Sequence, residues 1–156
     1  CRVRIGSIAA VHEMLRPGQS AGKIDMAGYL KNLTAAVMAA WRGEQSDVEL
    51  HVEAEEIKLA APRAAIVGLV VTELVTNSLK HAFGPEQKGK IVVELKRKGQ
   101  ELALVVKDNG KGLDLKDWRE PKGGGLRLTR SLVGQLKGTL ECGNQDGAEV
   151  IILFPA

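Results

Sequence analysis

Aromatic residues and cysteines are scarce in this chain, and long apolar runs are missing. Aromatic side chains make up 3% of the 156 residues, so a basic surface would have few rings on which nucleic-acid bases could stack. Cys1 and Cys142 form no metal-binding or disulfide pattern, which is typical of a reducing compartment. No apolar run approaches the roughly 20 residues of a membrane span, and no signal peptide is visible. We therefore expect a cytoplasmic location, with no membrane contact and no nucleic-acid partner.

Length and charge indicate an ordinary soluble domain. The chain is 44% hydrophobic and 26% charged, with a net charge of +3, and its 156 residues suit one domain with a workable core. A basic cluster between residues 88 and 98 reads as a solvated strand edge. Because the chain begins with Cys1 and not with Met, we expect it to be a piece of a longer protein.

The stretch from residue 70 to residue 83, VVTELVTNSLKHAF, predicts a helix with polar groups on one face. Glu73, Asn77 and His81 fall at i, i+4 and i+8 on this helix, among apolar or small residues. Such groups are costly to bury without partners. Asn77 could offer an oxygen to Mg²⁺, Glu73 could orient or deprotonate a nucleophile, and Lys80 and His81 could face phosphates. The alternative is an amphipathic helix whose polar stripe is satisfied within the protein.

Two glycine-rich stretches follow. Asp108 ends a predicted strand in DNGKG, where a carboxylate can accept a hydrogen bond from an exocyclic amine such as that of adenine. Gly110 and Gly112 would let the backbone approach a base closely, although a simple turn has the same pattern. Gly123, Gly124 and Gly125 precede a predicted helix, and the free N–H groups at the start of such a helix suit a phosphate. The alternative is a flexible loop that leads into the helix.

Taken in order, ELVTNSLKHAF, DNGKG and GGGLRLTRSLV resemble the N, G1 and G2 boxes of the GHKL ATP-binding domain. The similarity runs from about Asp25 to the C-terminus. A short segment between the G1 and G2 boxes, and the matches in IAAVHEML and IDMAGYL, are similar to sensor histidine kinases of the second dimerisation, HWE-related family. The resemblance implies ATP and Mg²⁺ as cofactors, with Glu73 catalytic and Asn77 the metal ligand. It also implies a nucleotide-binding set (Asn77, Lys80, His81, Asp108, Gly110, Gly112, Gly123, Gly124, Gly125, Leu126).

One position departs from the family pattern. The family usually has Gly-Thr near the C-terminus, with a hydroxyl that helps to hold adenine through water, and here Gly147 is followed by Ala148. We expect either weaker adenine binding or a replacement hydroxyl from Thr139 or Thr129.

The periodicity predicts an α+β fold, a two-layer α/β sandwich in which helices and hairpins mix without βαβ alternation. The resemblance implies the Bergerat ATP-binding fold with a mixed sheet, preceded by part of a helical dimerisation hairpin. Residues 1–22 would be the second helix of a truncated dimerisation and phosphoacceptor domain plus a linker, and residues 23–156 the ATP-binding catalytic domain. Predicted helices run from Asp25 to about Trp41, from Pro62 to about residue 83, and from Gly125 to Leu136. Predicted strands cover residues 47–54, 57–60, 138–142 and 148–154, and residues 90–108 are predicted to form a β-hairpin with its turn at residues 98–100.

The function implied is transfer of the ATP γ-phosphoryl group to a histidine on a dimerisation helix, for relay to an aspartate of a response-regulator receiver domain. The acceptor would lie upstream of this chain in a homodimer formed through the N-terminal helices. His12, in HEMLRP, is the alternative acceptor. Two other functions stay open: a GHKL-type anti-sigma serine kinase or ATPase, and a nucleotide-binding docking module with little turnover.

Overall fold

The structure is a computed structural model that describes residues 23–41, 48–81, 88–110, 124–144 and 147–156. The predicted dimerisation helix and linker of residues 1–22, which include His12, lie outside the described residues, as do Gly112 and Gly123. Within the described ranges no helix is long and apolar enough to cross a bilayer.

The described part of the chain forms three helices and seven strands. The helices are α1 (Met26–Trp41), α2 (Ala61–His81) and α3 (Gly124–Gln135). The strands are β1 (Lys23–Asp25), β2 (Val48–Ala54), β3 (Lys58–Ala60), β4 (Gly89–Lys98), β5 (Glu101–Asp108), β6 (Thr139–Asn144) and β7 (Ala148–Pro155). Each predicted helix and strand in these ranges is present, with ends within a few residues of those expected.

The main sheet has the strand order β2-β4-β5-β7-β6. β4 and β5 form the predicted hairpin, and Gly99 in its turn has a φ of 65°, which glycine adopts at little cost. β2 pairs with β4 in parallel, and the other neighbours are antiparallel, so the sheet is mixed. Because α2 lies between β2 and β4 in the chain, these elements make one βαβ crossover. One crossover is not the repeated βαβ alternation that the sequence lacks, and the hairpin pattern of β4 does not reveal which strand joins its other edge.

Alternation along the central strands places one row of side chains in the core. The buried row has Ile91, Val93 and Leu95 on β4, Leu102, Leu104 and Val106 on β5, and Val150, Ile152 and Phe154 on β7. These residues form one cluster with the apolar faces of the helices, including Leu30, Leu33, Val67 and Val71. On the opposite face, Lys107 Nζ lies 3.3 Å from Glu94 Oε1. The predicted α+β two-layer sandwich is therefore confirmed, and the helices cover one face of the sheet.

A second sheet contains only β1 and β3, paired antiparallel with Ile24 opposite Leu59. The N–H of Met26 donates to the carbonyl of Ile57 at 2.9 Å and continues this connection into α1. β1 was not predicted, because three residues are too short to show an alternating pattern. The small sheet fixes the start of α1 beside the start of α2.

α1 and α2 approach closely where Tyr29 crosses Gly68. A Cβ at Gly68 would collide with the Tyr29 phenol, so only glycine leaves room for the ring. The phenol is buried, its oxygen has no partner among the described residues, and burial raises the pKa of Tyr29 above its ordinary value. The Thr72 hydroxyl donates to the Gly68 carbonyl at 2.8 Å, one turn back along the helix. This half of α2 therefore serves helix packing.

Candidate functional site

The Asp108 carboxylate lies at the end of β5, 7% exposed, and is held by three hydrogen-bond donors. Its Oδ1 accepts from the N–H of Gly110 at 2.9 Å and from the N–H of Ala148 at 3.2 Å. Its Oδ2 accepts from the Ser78 hydroxyl at 2.9 Å. An ionised carboxylate has about four acceptor positions, so three donors leave one on Oδ2. The group is fixed in direction and still able to accept one hydrogen bond from a ligand.

Asn109 turns the chain away after Asp108. Its N–H donates to the carbonyl of Lys90 at 3.2 Å, and its Oδ1 accepts from the N–H of Lys90 at 2.8 Å. The Asn109 side chain thus adds a hydrogen bond beyond the last pair of the β4–β5 ladder, which is Asp108 with Ile91. The following Gly110 can then fold back and donate to Asp108. This backbone path explains why the sequence DNG stands at the end of a strand.

Gly147 supports the carboxylate from the neighbouring strand. Its φ is 132°, and a Cβ at this position would collide with the carbonyl of Asp108. Glycine therefore lets β7 begin directly against the end of β5, which brings the N–H of Ala148 to Asp108. Neither Gly147 nor Ala148 was among the predicted site residues. The signal was present in the Gly-Ala pair, which was read only as a departure from the family pattern.

The last turns of α2 carry the predicted polar residues. Glu73 is 5% exposed, Asn77 is half-buried and Lys80 is exposed, and His81 is the last residue of the helix. Ser78 follows Asn77 directly, so the hydrogen bond between Ser78 and Asp108 joins this part of α2 to the end of β5. The structure therefore brings the two predicted regions together, although they are 30 residues apart in sequence.

α3 begins at Gly124, one residue before the predicted start, and Gly125 and Leu126 lie in its first turn. The first N–H groups of a helix have no partners within the helix, and its dipole favours an anion there. A phosphate-binding role for Gly124, Gly125 and Leu126 stays a prediction.

Thr139 does not lie beside Asp108. It is exposed at the start of β6, opposite Leu153, whereas Ala148 pairs with Asn144 at the other end of the same strand. Five residues of strand separate the two ends, which is about 16 Å. This register places Thr139 away from Asp108, and a role for its hydroxyl in adenine binding stays a prediction.

The other expected replacement, Thr129, is fully buried in α3 and already has an interaction. The hydroxyl that contacts Asp108 belongs to Ser78. Sequence reasoning treated Ser78 only as a small residue on the helix, since its partner is distant in the chain. Its position directly after Asn77 indicates that Ser78 could lie near the same site, because adjacent helical residues can both reach one end of the sheet.

No group of three His, Cys, Asp or Glu side chains in the described ranges could enclose a metal ion. Asn77 offers a neutral oxygen, and Mg²⁺ accepts such a ligand when phosphate and water oxygens complete its shell. The carboxamide of Asn77 thus fits Mg²⁺ that arrives with a nucleotide.

Comparison with known families gives two matches. Residues 63–156 match the family model described as histidine kinase-, DNA gyrase B-, and HSP90-like ATPase. Residues 1–41 match a second model, described as histidine kinase. The first match covers β4 to β7, α3 and nearly all of α2, and so contains Asp108 and the polar end of α2.

Two curated relatives and one solved structure are similar to the chain. Blue-light-activated histidine kinase 2 of Erythrobacter litoralis is 30% identical over 70% of this chain and 32% of its own length. Sensor histidine kinase PdtaS of Mycolicibacterium smegmatis is 35% identical over 62% of this chain and 20% of its own length. The histidine kinase domain of the Erythrobacter litoralis EL346 kinase superposes with a TM-score of 0.84 at 23% identity, over 99% of this chain and 73% of that one. The chain thus spans about a third or less of these curated relatives.

Proposed function

Since this chain belongs to the histidine kinase-, DNA gyrase B- and HSP90-like ATPase family, we propose that it is the ATP-binding catalytic part of a sensor histidine kinase. The observation that carries this proposal is the Asp108 carboxylate, fixed by three donors with one acceptor position left on Oδ2. Adenine presents an amino group that can donate to this position, and guanine presents an oxygen that would be repelled. We assign Asp108 to base recognition.

The phosphates and Mg²⁺ would lie along the C-terminal end of α2. Asn77 is assigned to the metal, and Lys80 and His81 to phosphate charge. The first turn of α3 supplies N–H groups for the same phosphates, with Gly123 before it. Mg²⁺ supplies charge neutralisation on the phosphate oxygens when it is bound.

Glu73 is assigned to the orientation or deprotonation of the nucleophile, which is the acceptor histidine. A histidine nitrogen of the acceptor attacks the γ-phosphorus, the bond to the bridging oxygen breaks and ADP leaves, while Glu73 orients the imidazole or accepts its proton. A carboxylate that is 5% exposed is held by its surroundings, which suits such positioning.

We propose that residues 23–156 form the catalytic domain and that residues 1–22 belong to a dimerisation helix and linker. The pairing of β1 with β3 supports a boundary near Lys23. The match of residues 1–41 to a histidine kinase model supports a homodimer, in which the acceptor histidine lies upstream or is His12. An aspartate of a receiver domain would take the phosphoryl group next, in the cytoplasm where ATP is available.

The experiment compares wild type with Asn77→Ala in the full protein, incubated with γ-labelled ATP and Mg²⁺. We expect acid-labile, base-stable label on the wild type, typical of phosphohistidine. In Asn77→Ala the label should fall by at least about 100-fold, because the protein ligand of the Mg²⁺ that stabilises the transferring phosphoryl group is lost. Gln135→Ala, which removes an exposed carboxamide from the end of α3, is the matched control.

Other outcomes would identify the alternatives. Acid-stable label on a partner protein would indicate a serine kinase. Wild-type protein that binds a receiver domain without ever being labelled would indicate a docking module. Equal labelling of Asn77→Ala and wild type would contradict the assignment of Asn77.

A further inference from the structure

We propose that Ser78 is a specificity-determining residue, because its hydroxyl orients Asp108 Oδ2 so that the remaining acceptor position receives the 6-amino group of adenine. The proposal rests on the ATP site proposed above and adds a residue from the opposite layer of the fold. Ser78 acts through Asp108 and touches no reacting atom, so it is a positioning residue.

The two oxygens of Asp108 are held in different ways. Oδ1 accepts from two backbone N–H groups, at Gly110 and Ala148, which remain whatever side chains stand there. Oδ2 has one protein donor among the described residues, the Ser78 hydroxyl at 2.9 Å. Loss of this hydroxyl would leave Oδ1 anchored and would free Oδ2 to turn or to bind water.

The contact also decides which hydrogen bond remains possible. A hydroxyl has one proton, and in Ser78 that proton is committed to Oδ2. Ser78 therefore has no proton to offer the O6 of guanine, while Oδ2 keeps an acceptor position for an amine. A site whose buried polar group is built for one hydrogen bond discriminates strongly against a ligand that lacks the donor.

The position of Ser78 limits the expected effect to the base. Ser78 is half-buried, its hydroxyl donates to Asp108 at the end of β5, and it lies about 100° around α2 from Asn77, because successive helical residues are spaced that far apart. Alanine is the best helix former, so Ser78→Ala should leave α2 intact. The substitution should weaken recognition of the amino group and leave the triphosphate contacts unchanged.

The test measures the dissociation constants of ATP and of purine riboside triphosphate, which lacks only the 6-amino group, in the presence of Mg²⁺. For wild type we expect ATP to bind more tightly than the analogue by at least about tenfold, the value of one hydrogen bond to a charged group. Ser78→Ala should lose about tenfold in ATP affinity and nothing for the analogue, so the ratio falls toward one. Ser78→Thr, which keeps the hydroxyl, should keep the ratio, and Ser131→Ala removes an exposed helical hydroxyl as the control.

Equal losses for both nucleotides in Ser78→Ala would assign Ser78 a merely structural role and overturn the proposal. An affinity ratio in Ser78→Ala equal to that of wild type would also overturn the proposal. So would a Ser78→Thr protein that has the wild-type melting temperature and the affinity ratio of Ser78→Ala. The proposed function fails separately: wild type that binds neither nucleotide contradicts the ATP site itself, whereas ATP binding that depends on Asp108 but not on Ser78 contradicts only this inference.

Discussion

The two halves of α2 show how one helix serves packing at one end and chemistry at the other. In the N-terminal half, Gly68 accommodates Tyr29, whose buried phenol oxygen has no partner among the described residues. In the C-terminal half, the Ser78 hydroxyl donates to a carboxylate that three donors hold. Both halves bury polar atoms. Only the second half contacts a carboxylate that keeps an acceptor position for a ligand.

If the two halves of α2 have these separate roles, substitutions around the first half should change stability and those around the second half should change nucleotide affinity. An unpartnered buried hydroxyl contributes little and can be removed, because its desolvation is not compensated. A fixed carboxylate depends on each support that keeps it in place.

Among the glycine and tyrosine substitutions, the largest effect is expected for Gly147→Ala, in the nucleotide site. A Cβ at Gly147 would collide with the Asp108 carbonyl at a φ of 132°, so β7 must move away and Ala148 can no longer donate to Asp108. We expect ATP affinity to fall about 100-fold, equivalent to about 2.7 kcal/mol, with a lower melting temperature. Calorimetric titration and thermal unfolding measure both.

Gly143→Ala is the matched control for this substitution. A Cβ at Gly143 meets nothing within 4 Å, so both ATP affinity and melting temperature should stay close to those of wild type. Wild-type ATP affinity in Gly147→Ala would show that the close approach of β7 to Asp108 is not needed for binding.

Gly68→Ala should lower the stability of the packing between α1 and α2 without changing the nucleotide site. The new methyl group collides with the Tyr29 phenol, and overpacking of this kind costs about 1–3 kcal/mol of unfolding free energy. Denaturant titration measures the loss, and the folded protein should keep wild-type ATP affinity. Gly134→Ala on α3, where a Cβ meets nothing within 4 Å, should instead stabilise by up to about 1 kcal/mol.

A double substitution sharpens this prediction. If the collision with Tyr29 causes the loss, Tyr29→Leu combined with Gly68→Ala should cost clearly less than the sum of the two single changes. Strict additivity would mean that the loss of stability in Gly68→Ala does not come from the collision with Tyr29. Weakened ATP binding in Gly68→Ala without a loss of stability would mean that the first half of α2 also affects the nucleotide site.

The smallest effect is expected for Tyr29→Phe, within about 1 kcal/mol of wild type, because the phenol oxygen forms no hydrogen bond with the described residues. Its pH dependence is more informative. The unfolded chain ionises its phenol near pH 10, and burial raises the pKa of Tyr29 in the folded state. Above about pH 10 the unfolded state therefore binds fewer protons than the folded state, and stability falls as pH rises.

Tyr29→Phe should remove this alkaline decline. Tyr29 is the only tyrosine of the chain, so tyrosinate absorbance reports its ionisation without interference from another phenol. Ionisation of the folded wild type near pH 10 would contradict the buried position of the ring.

Local patterns predicted α2, the β4–β5 hairpin and the polar residues on α2, since helical and strand periods depend on neighbours in sequence. The parallel pairing of β2 with β4 was not predictable, because it depends on how the whole sheet assembles. Ser78 was missed for the same reason: its partner Asp108 comes from another layer. Gly147 shows its role only once β7 lies against the end of β5, which no spacing within the sequence reveals.

The role of Asp108 in adenine recognition is tested most directly by calorimetric titration of ATP into wild type and Asp108→Ala, with and without Mg²⁺, and with GTP as the control. Wild type should bind ATP in a Mg²⁺-dependent manner, Asp108→Ala should lose this binding, and GTP should not reproduce it. Unchanged ATP affinity in Asp108→Ala, or no binding by the wild type at millimolar ATP, would contradict this role of Asp108.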